Sequence, residues 1–341
     1  MTNNELIKRA EDAIERHSGV LLCIMEYGSH LYGLNTESSD RDYFGVFIAG
    51  EEYYTGLRTK NQIKLDVVSK GEDGRNDKDA IDFTIMELKT YVSKVEGCAP
   101  NLIATIFAEE SKFIYKNPII DDLFEFLRNN ALCSDGVERG YYNYANNQRK
   151  KIFNKIDNYK LLKESYDCIS DMKFSGDELL IDFIENNEDL RKYFTVHETH
   201  ISCCKKLSNN KNSIVNFQNN MNVIQCIEGL KEQLAKYGPR TVASVNQDFD
   251  SKFAMHHFRL LFEGIDIFTT GRLTFPSSKK SFLLDIKANK ISKYELSDIS
   301  DRAFDEFKKS YELSVIVDTP DRYDIINKYL VSFIKSVRDC T

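Results

Sequence analysis

Proline is scarce in this chain, five residues in 341, and glycine contributes only sixteen. Few rigid turns are on offer, so long helices with few breaks are expected. No apolar run approaches the roughly 20 residues of a membrane-spanning helix. The N-terminus, MTNNELIKRAEDAIERH, is polar and amphipathic rather than signal-like, so the protein is read as cytoplasmic, with no membrane partner. Positive charge is not in excess either: 46 Lys and Arg face 53 Asp and Glu, a net −7. That balance excludes a cationic coat for nonspecific nucleic-acid binding and leaves room only for a local basic patch. The eight cysteines never form a C-x-x-C pair. Spread through apolar stretches, they read as reduced, mostly buried thiols. The adjacent Cys203 and Cys204 read as small buried groups, because neighbouring cysteines seldom suit disulfide geometry.

What is present is an ordinary globular composition, 42% hydrophobic and 29% charged, in a length that suggests two domains. Leu6, Ala10 and Ile14 recur at helical spacing as far as Glu15. Gly19 then releases an apolar run over 20–25, too short for a buried helix and read as a buried strand. Further strand candidates are 42–48, 62–69 and 80–85, the last two separated by the charged loop 70–78, and helical spacing resumes over 86–95. From about Asn101 the periodicity is almost entirely helical, over 119–129, 141–162, 223–237, 251–268, 302–313 and 325–337. The expected fold is α+β: a small mixed β-sheet with helices over residues 1–115, then a mainly α-helical domain over 116–341.

The most informative stretch joins Gly28-Ser29, at the end of the first buried strand, to Ser39-Asp40-Arg41-Asp42 at the start of the next. Side chains alternate along a strand, so Asp40 and Asp42 project to the same side. Two carboxylates side by side repel unless a cation lies between them. Oxygen ligands in that arrangement suit Mg²⁺ (or Mn²⁺), which takes one or two carboxylates together with substrate phosphates. A Gly-Ser turn that opens a helix offers backbone N–H groups and a hydroxyl to phosphate oxygens. A D-x-D alone is common at solvated turns. Its setting between strand, Gly-Ser turn, loop and second strand is what describes a site for a nucleoside triphosphate and metal. Elsewhere, His197 and His200 lack a further ligand at zinc spacing and read as structural. The aromatic and basic helix from Tyr141 to Lys155 reads equally as a nucleic-acid groove and as a solvated face.

The string YGSHLYGLNTESSDRDYFGVF resembles the nucleotidyltransferase motif of the DNA polymerase β superfamily. More narrowly, it resembles the RNA-repair-pathway nucleotidyltransferases of bacteria and phages, whose signature runs Y-G-S-x-x-Y-G through S-D-x-D-x-x-G-V. Tyr27, Gly28, Ser29, Tyr32, Gly33, Ser39, Asp40, Asp42, Gly45 and Val46 fit that signature. The resemblance implies a nucleotidyltransferase core and a third carboxylate on a later strand, ahead of a helix that ends in an Asn-Pro-containing turn. Asp82 is the choice, with Cys98-Ala99-Pro100-Asn101 in the place of the turn. Asp79 competes, because an odd register slip exchanges the faces of a strand, and Asp66 is a weaker competitor. Far downstream, Lys252-Phe-Ala-Met-His256-His-Phe-Arg259-Leu-Leu261, followed by Gly271 and Pro276, resembles the family's K-x-A-x-H-x-x-R-L-L helix. Lys252, His256 and Arg259 fall on one helical face, where cationic groups can clamp a triphosphate or an acceptor phosphate. His30 stands where the family often carries Arg, which bears on phosphate contacts and nucleotide preference.

The expectation is therefore an enzyme that moves an NMP from an NTP such as ATP to an acceptor hydroxyl. Asp40 and Asp42 would hold two Mg²⁺ ions, and Asp82 would complete the second metal site and help deprotonate the acceptor. Gly28 and Ser29 would bind the β- and γ-phosphates, and pyrophosphate would leave. The resemblance implies an RNA or tRNA end as acceptor. Related enzymes of the superfamily modify proteins or small antibiotics, so a protein-adenylylating enzyme is one alternative. A nucleotide-binding module without turnover is another; it would carry a broken carboxylate set, whereas Asp40, Asp42 and Asp82 are all present.

Overall fold

Leu6, Ala10 and Ile14, four residues apart, are buried and define the inner face of the first helix, which a Thr2–Glu5 capping box starts. The structure, a computed structural model, describes every residue except 38, 68–79, 204–212, 246–248 and 340–341. Its elements begin with α1 (Asn3–Glu15), β1 (Val20–Tyr27), α2 (Gly28–Leu31), β2 (Arg41–Ile48), α3 (Glu52–Thr55), β3 (Gln62–Lys64), β4 (Ile81–Glu87), α4 (Leu88–Glu96), α5 (Pro100–Ile106), β5 (Phe113–Lys116) and α6 (Ile119–Asn130). They continue with α7 (Ser134–Val137), α8 (Asn143–Ser170), α9 (Leu180–Asn186), β6 (Phe194–Val196), β7 (His200–Cys203), β8 (Val215–Gln218) and α10 (Val223–Ala235). Last come α11 (Pro239–Ser244), α12 (Ser251–Thr270), α13 (Lys280–Lys287), α14 (Lys293–Glu312) and α15 (Arg322–Asp339). Among the described residues no helix is long and apolar enough to cross a membrane.

The chain forms two compact units. The first comprises Met1–Asn147 and Met255–Thr341. Its mixed five-stranded sheet runs β3-β4-β2-β1-β5, with β2 and β4 parallel and the other pairs antiparallel. Nearly every side chain of β2 is buried, because both faces of the sheet are covered. The buried face of α1 joins Tyr43, Phe47, Phe83 and Ile85 in one cluster. On the other face Tyr91 of α4 meets Phe44 and is backed by Phe124 of α6. The helix expected from residue 86 starts at Leu88, because Glu87 stays in β4 and caps it, accepting from the N–H groups of Lys89 and Thr90 at 2.8 and 3.3 Å.

The C-terminal helices belong to this same unit. Gly264 of α12 lets Phe307 of α14 come so close that a Cβ there would lie 2.2 Å from the ring. Tyr329 of α15 stacks on Phe126 of α6 at 3.6 Å, and Arg322 donates to the carbonyls of Glu96 and Ala131. The division expected near residue 115 thus falls in β5, inside the unit.

The second unit, Gln148–Ala254, has its own core, built from Leu162, Phe183, Ile184, Phe194, Ile201, Phe217 and Leu230 among others. It contains an antiparallel sheet, β6-β7-β8, in the stretch between the helical periods at 141–162 and 223–237, where the sequence shows no period of its own. Strands of three and four residues are shorter than the window over which an alternation can show. Cys203 and Cys226 are buried here, as Cys23 and Cys98 are in the first unit, while Cys133 and Cys168 are half-buried. Cys204 lies outside the described residues.

Candidate active site

β1 ends at Tyr27, and the chain turns at once into the single helical turn α2, with Gly28 at φ +55°. A Cβ on Gly28 would sit 1.9 Å from Asp42 Oδ2 and 2.9 Å from its carboxyl carbon. Glycine is therefore required twice, for a left-handed backbone and for the room that the Asp42 carboxylate occupies. Tyr27 is the register partner of Asp42 across the β1–β2 pair, which is why the Gly-Ser turn and the D-x-D meet. The N-cap Tyr27 makes no side-chain hydrogen bond to the N–H groups at the start of α2. Ser29 is half-buried and its carbonyl accepts from Leu34 N–H at 2.9 Å.

Asp42 is also the register partner of Asp82 on the parallel neighbour β4. Adjacent strands lie about 4.8 Å apart, so the two side chains stand abreast on one face of the sheet. Burial, and then the negative charge of Asp66 with which it shares a hydrogen bond, raise the Asp82 carboxyl above its ordinary range. Asp66 accepts from the Phe83 N–H at 3.0 Å. Asp40 is exposed, just ahead of β2. Asp79 lies outside the described residues. Among the described residues no three acidic, His or Cys groups are gathered into a ready-made metal cage. Mg²⁺ needs fewer, since phosphates and water complete its shell. An all-oxygen set that includes carboxylates crowded enough to hold back a proton fits a hard cation in kind.

The basic residues on α12 divide. Lys252 is exposed and falls in the second unit, where Asp250 caps the helix start. His256 is half-buried. Arg259 is 3% exposed and is engaged inside the protein, against Glu263, Asn101 and the Tyr32 ring. His257, beside the expected His256, is the enclosed histidine, with its ring nitrogens bonded to Ala145 O and Ser300 Oγ, both at 2.9 Å. His30 on α2 buries Nε2 with no hydrogen-bond partner.

Sequence reasoning missed Lys287. Its Nζ donates to Leu34 O at 2.9 Å and to Ser39 Oγ at 3.3 Å, tying α13 to the loop that presents Asp40. Nothing in the local pattern around a lysine at the end of a short helix marks it. Of the other candidates, Tyr141 is fully buried, Lys151 and Lys155 lie over the Phe253 ring, and His197 stacks on His200 at 4.5 Å.

Three similarities accompany this geometry. The family model for the RNA repair pathway DNA polymerase β family matches residues 4–299. An uncharacterised 38.9 kDa protein from the nrdC–mobD intergenic region of Enterobacteria phage T4 is 22% identical over 285 residues, which cover 77% of this chain and 81% of the phage protein. A nucleotidyltransferase-like protein from Exiguobacterium sibiricum aligns in structure over 90% of this chain and 74% of its own, at 7% identity and a TM-score of 0.25. With its family model spanning residues 4–299 of 341, the chain belongs to the RNA repair pathway DNA polymerase β family and is a nucleotidyltransferase.

Proposed function

We propose that the protein transfers an NMP from an NTP to a hydroxyl at an RNA or tRNA end in a Mg²⁺-dependent reaction. Gly28 and Ser29 hold the β- and γ-phosphates by backbone N–H groups and a hydroxyl. Asp40, Asp42 and Asp82 would hold Mg²⁺, which when bound supplies charge neutralisation at the phosphates. Asp82 accepts the proton of the attacking hydroxyl as its oxygen bonds to the α-phosphorus. The bond from that phosphorus to the bridging oxygen breaks, and pyrophosphate leaves in line.

The observation that carries the reading is the contact of Asp42 with the Gly28 turn, with Asp82 in register beside it. It puts carboxylates next to the N–H groups that open α2, the pair of features that a phosphate–metal complex needs. The test is incubation of the purified protein with each α-labelled NTP and Mg²⁺, offering total RNA, a tRNA pool or lysate protein as acceptor. Label in RNA with wild type, and none with Asp40→Asn/Asp42→Asn, is expected. Label in protein alone would replace the acceptor assignment, and no transfer to any acceptor would overturn it.

A further inference from the structure

Arg259 and Glu263 stand one turn apart on α12 and are 3% and 4% exposed. A single contact joins them, Nη1 to Oε1 at 3.3 Å. Arg259 Nε and Glu263 Oε2 have no hydrogen-bond partner, nor have the hydroxyls of Tyr32 and Tyr141. Burial pushes the Glu263 carboxyl up to about 7 despite the neighbouring guanidinium. An ion pair buried with loose ends contributes little to stability, since apolar groups of the same volume often do as well or better. Its remaining contacts say what it does instead. The guanidinium lies over the Tyr32 ring, 3.7 Å from the centroid. Its Nη2 donates to Asn101 Oδ1 at 3.4 Å, and the carbonyl of the same Asn101 accepts from the Tyr27 hydroxyl at 3.1 Å. Tyr27 and Tyr32 are the N-cap and C-cap residues of α2. Arg259 therefore braces both ends of the turn that carries Gly28 and Ser29, one directly and the other through Asn101.

We propose that Arg259 is a positioning residue: anchored by Glu263, it fixes Tyr27 and Tyr32 and so sets the Gly28–Ser29 turn on which the triphosphate binds. The inference rests on reading that turn as the phosphate site, and it gives Arg259 a different task from clamping the triphosphate itself. A flat, forked donor is needed to lie on one ring and reach Asn101 at once, which lysine cannot do.

The test titrates the purified protein with Mg²⁺ and each of ATP, CTP, GTP and UTP, then compares the tightest with its own NMP. Wild type is expected to hold the triphosphate at least about tenfold more tightly, the difference being what the turn contributes. In Arg259→Lys, and in the paired Arg259→Met/Glu263→Leu that leaves no charge buried, triphosphate affinity is expected to fall about tenfold with monophosphate affinity unchanged. A merely structural role would lower the melting temperature and leave the ratio of the two affinities alone, and that result overturns the proposal. Where the paired variant does not fold, Tyr27→Phe removes one hydroxyl and carries the same test. A loss of about threefold in the ratio is expected and an unchanged ratio overturns the proposal. Equal binding of NTP and NMP by wild type would instead sink the phosphate reading of Gly28-Ser29, and the inference with it.

Discussion

Replacing Gly28 with alanine tests the site at its tightest point. The φ of +55° is unfavourable for any residue with a Cβ, at about 1–2 kcal/mol. The new methyl would also sit 1.9 Å from Asp42 Oδ2, where ordinary contact begins near 3.4 Å. β2 is hydrogen-bonded on both sides, to β1 and to β4, so Asp42 cannot yield by moving its backbone. Its carboxylate must swing away by about 1.5 Å, and misplacements on the order of 1 Å cost roughly 10²-fold in rate. The expected outcome is a melting temperature lower by a few degrees and transfer from α-labelled NTP lower by about 10²-fold, near 2.7 kcal/mol of transition-state stabilisation. Gly271→Ala supplies the control. Its φ is +72°, but a Cβ there meets nothing within 4 Å, so it incurs the backbone strain without displacing a carboxylate. Comparable destabilisation with full activity is expected for it. If Gly28→Ala transferred label within threefold of wild type, the claim that Asp42 works from its place against the turn would be refuted.

Asp82→Asn should abolish transfer and leave the melting temperature equal or slightly raised, because it relieves the repulsion from Asp66; a clear loss of stability would contradict that account. Among the described cysteines, Cys133 should be the first labelled by iodoacetamide, with a midpoint near pH 6. A hydrogen bond from Cys98, then the Arg322 charge, lower it to about 6, so Cys98→Ala should move the midpoint up towards 9.0. The Glu263 carboxyl is raised from 4.5 to about 7 in the folded protein, so the folded state keeps a proton that the unfolded chain has released. That contribution to stability is complete below about pH 4.5 and is lost as the pH rises through about 7. From pH 5 to 8 the melting temperature of wild type should therefore fall relative to that of Glu263→Gln, and a difference that stays constant with pH would contradict the shift.

The elements legible in the sequence are those long enough to show a period. α1, α6, α10, α12 and α15 each present apolar residues three and four apart over three turns or more, and their observed limits lie within a few residues of the pattern. β1 and β2 are legible as short apolar runs released by Gly19 and bounded by the loop at 35–39. β5 to β8 are not, because three or four residues hold at most two alternations. The division of the chain into units is also hidden. It depends on contacts such as Gly264 with Phe307 and Phe126 with Tyr329, which join segments that no local pattern connects.

In the site, Gly28, Asp40 and Asp42 are legible because they belong to one stretch folded back on itself by consecutive strands. Asp82 is another matter: its place beside Asp42 requires β2 and β4 to pair in parallel, with β3 between them in the chain. Only the family resemblance singles it out from Asp66 and Asp79. Arg259 shows how a correct spacing can mislead. The positions i, i+4 and i+7 define a face whether that face meets solvent or protein. The remedy lies in the neighbouring residues: Ala254, Met255, Phe258, Leu260, Leu261, Phe262, Ile265 and Ile267 surround the helix on all sides and are buried. A helix apolar all round is itself enclosed, and polar groups inside it must find partners. Arg259 and Glu263, at i and i+4 within that run, are the partners such a helix calls for, which argues for an internal brace at this position before any contact is measured.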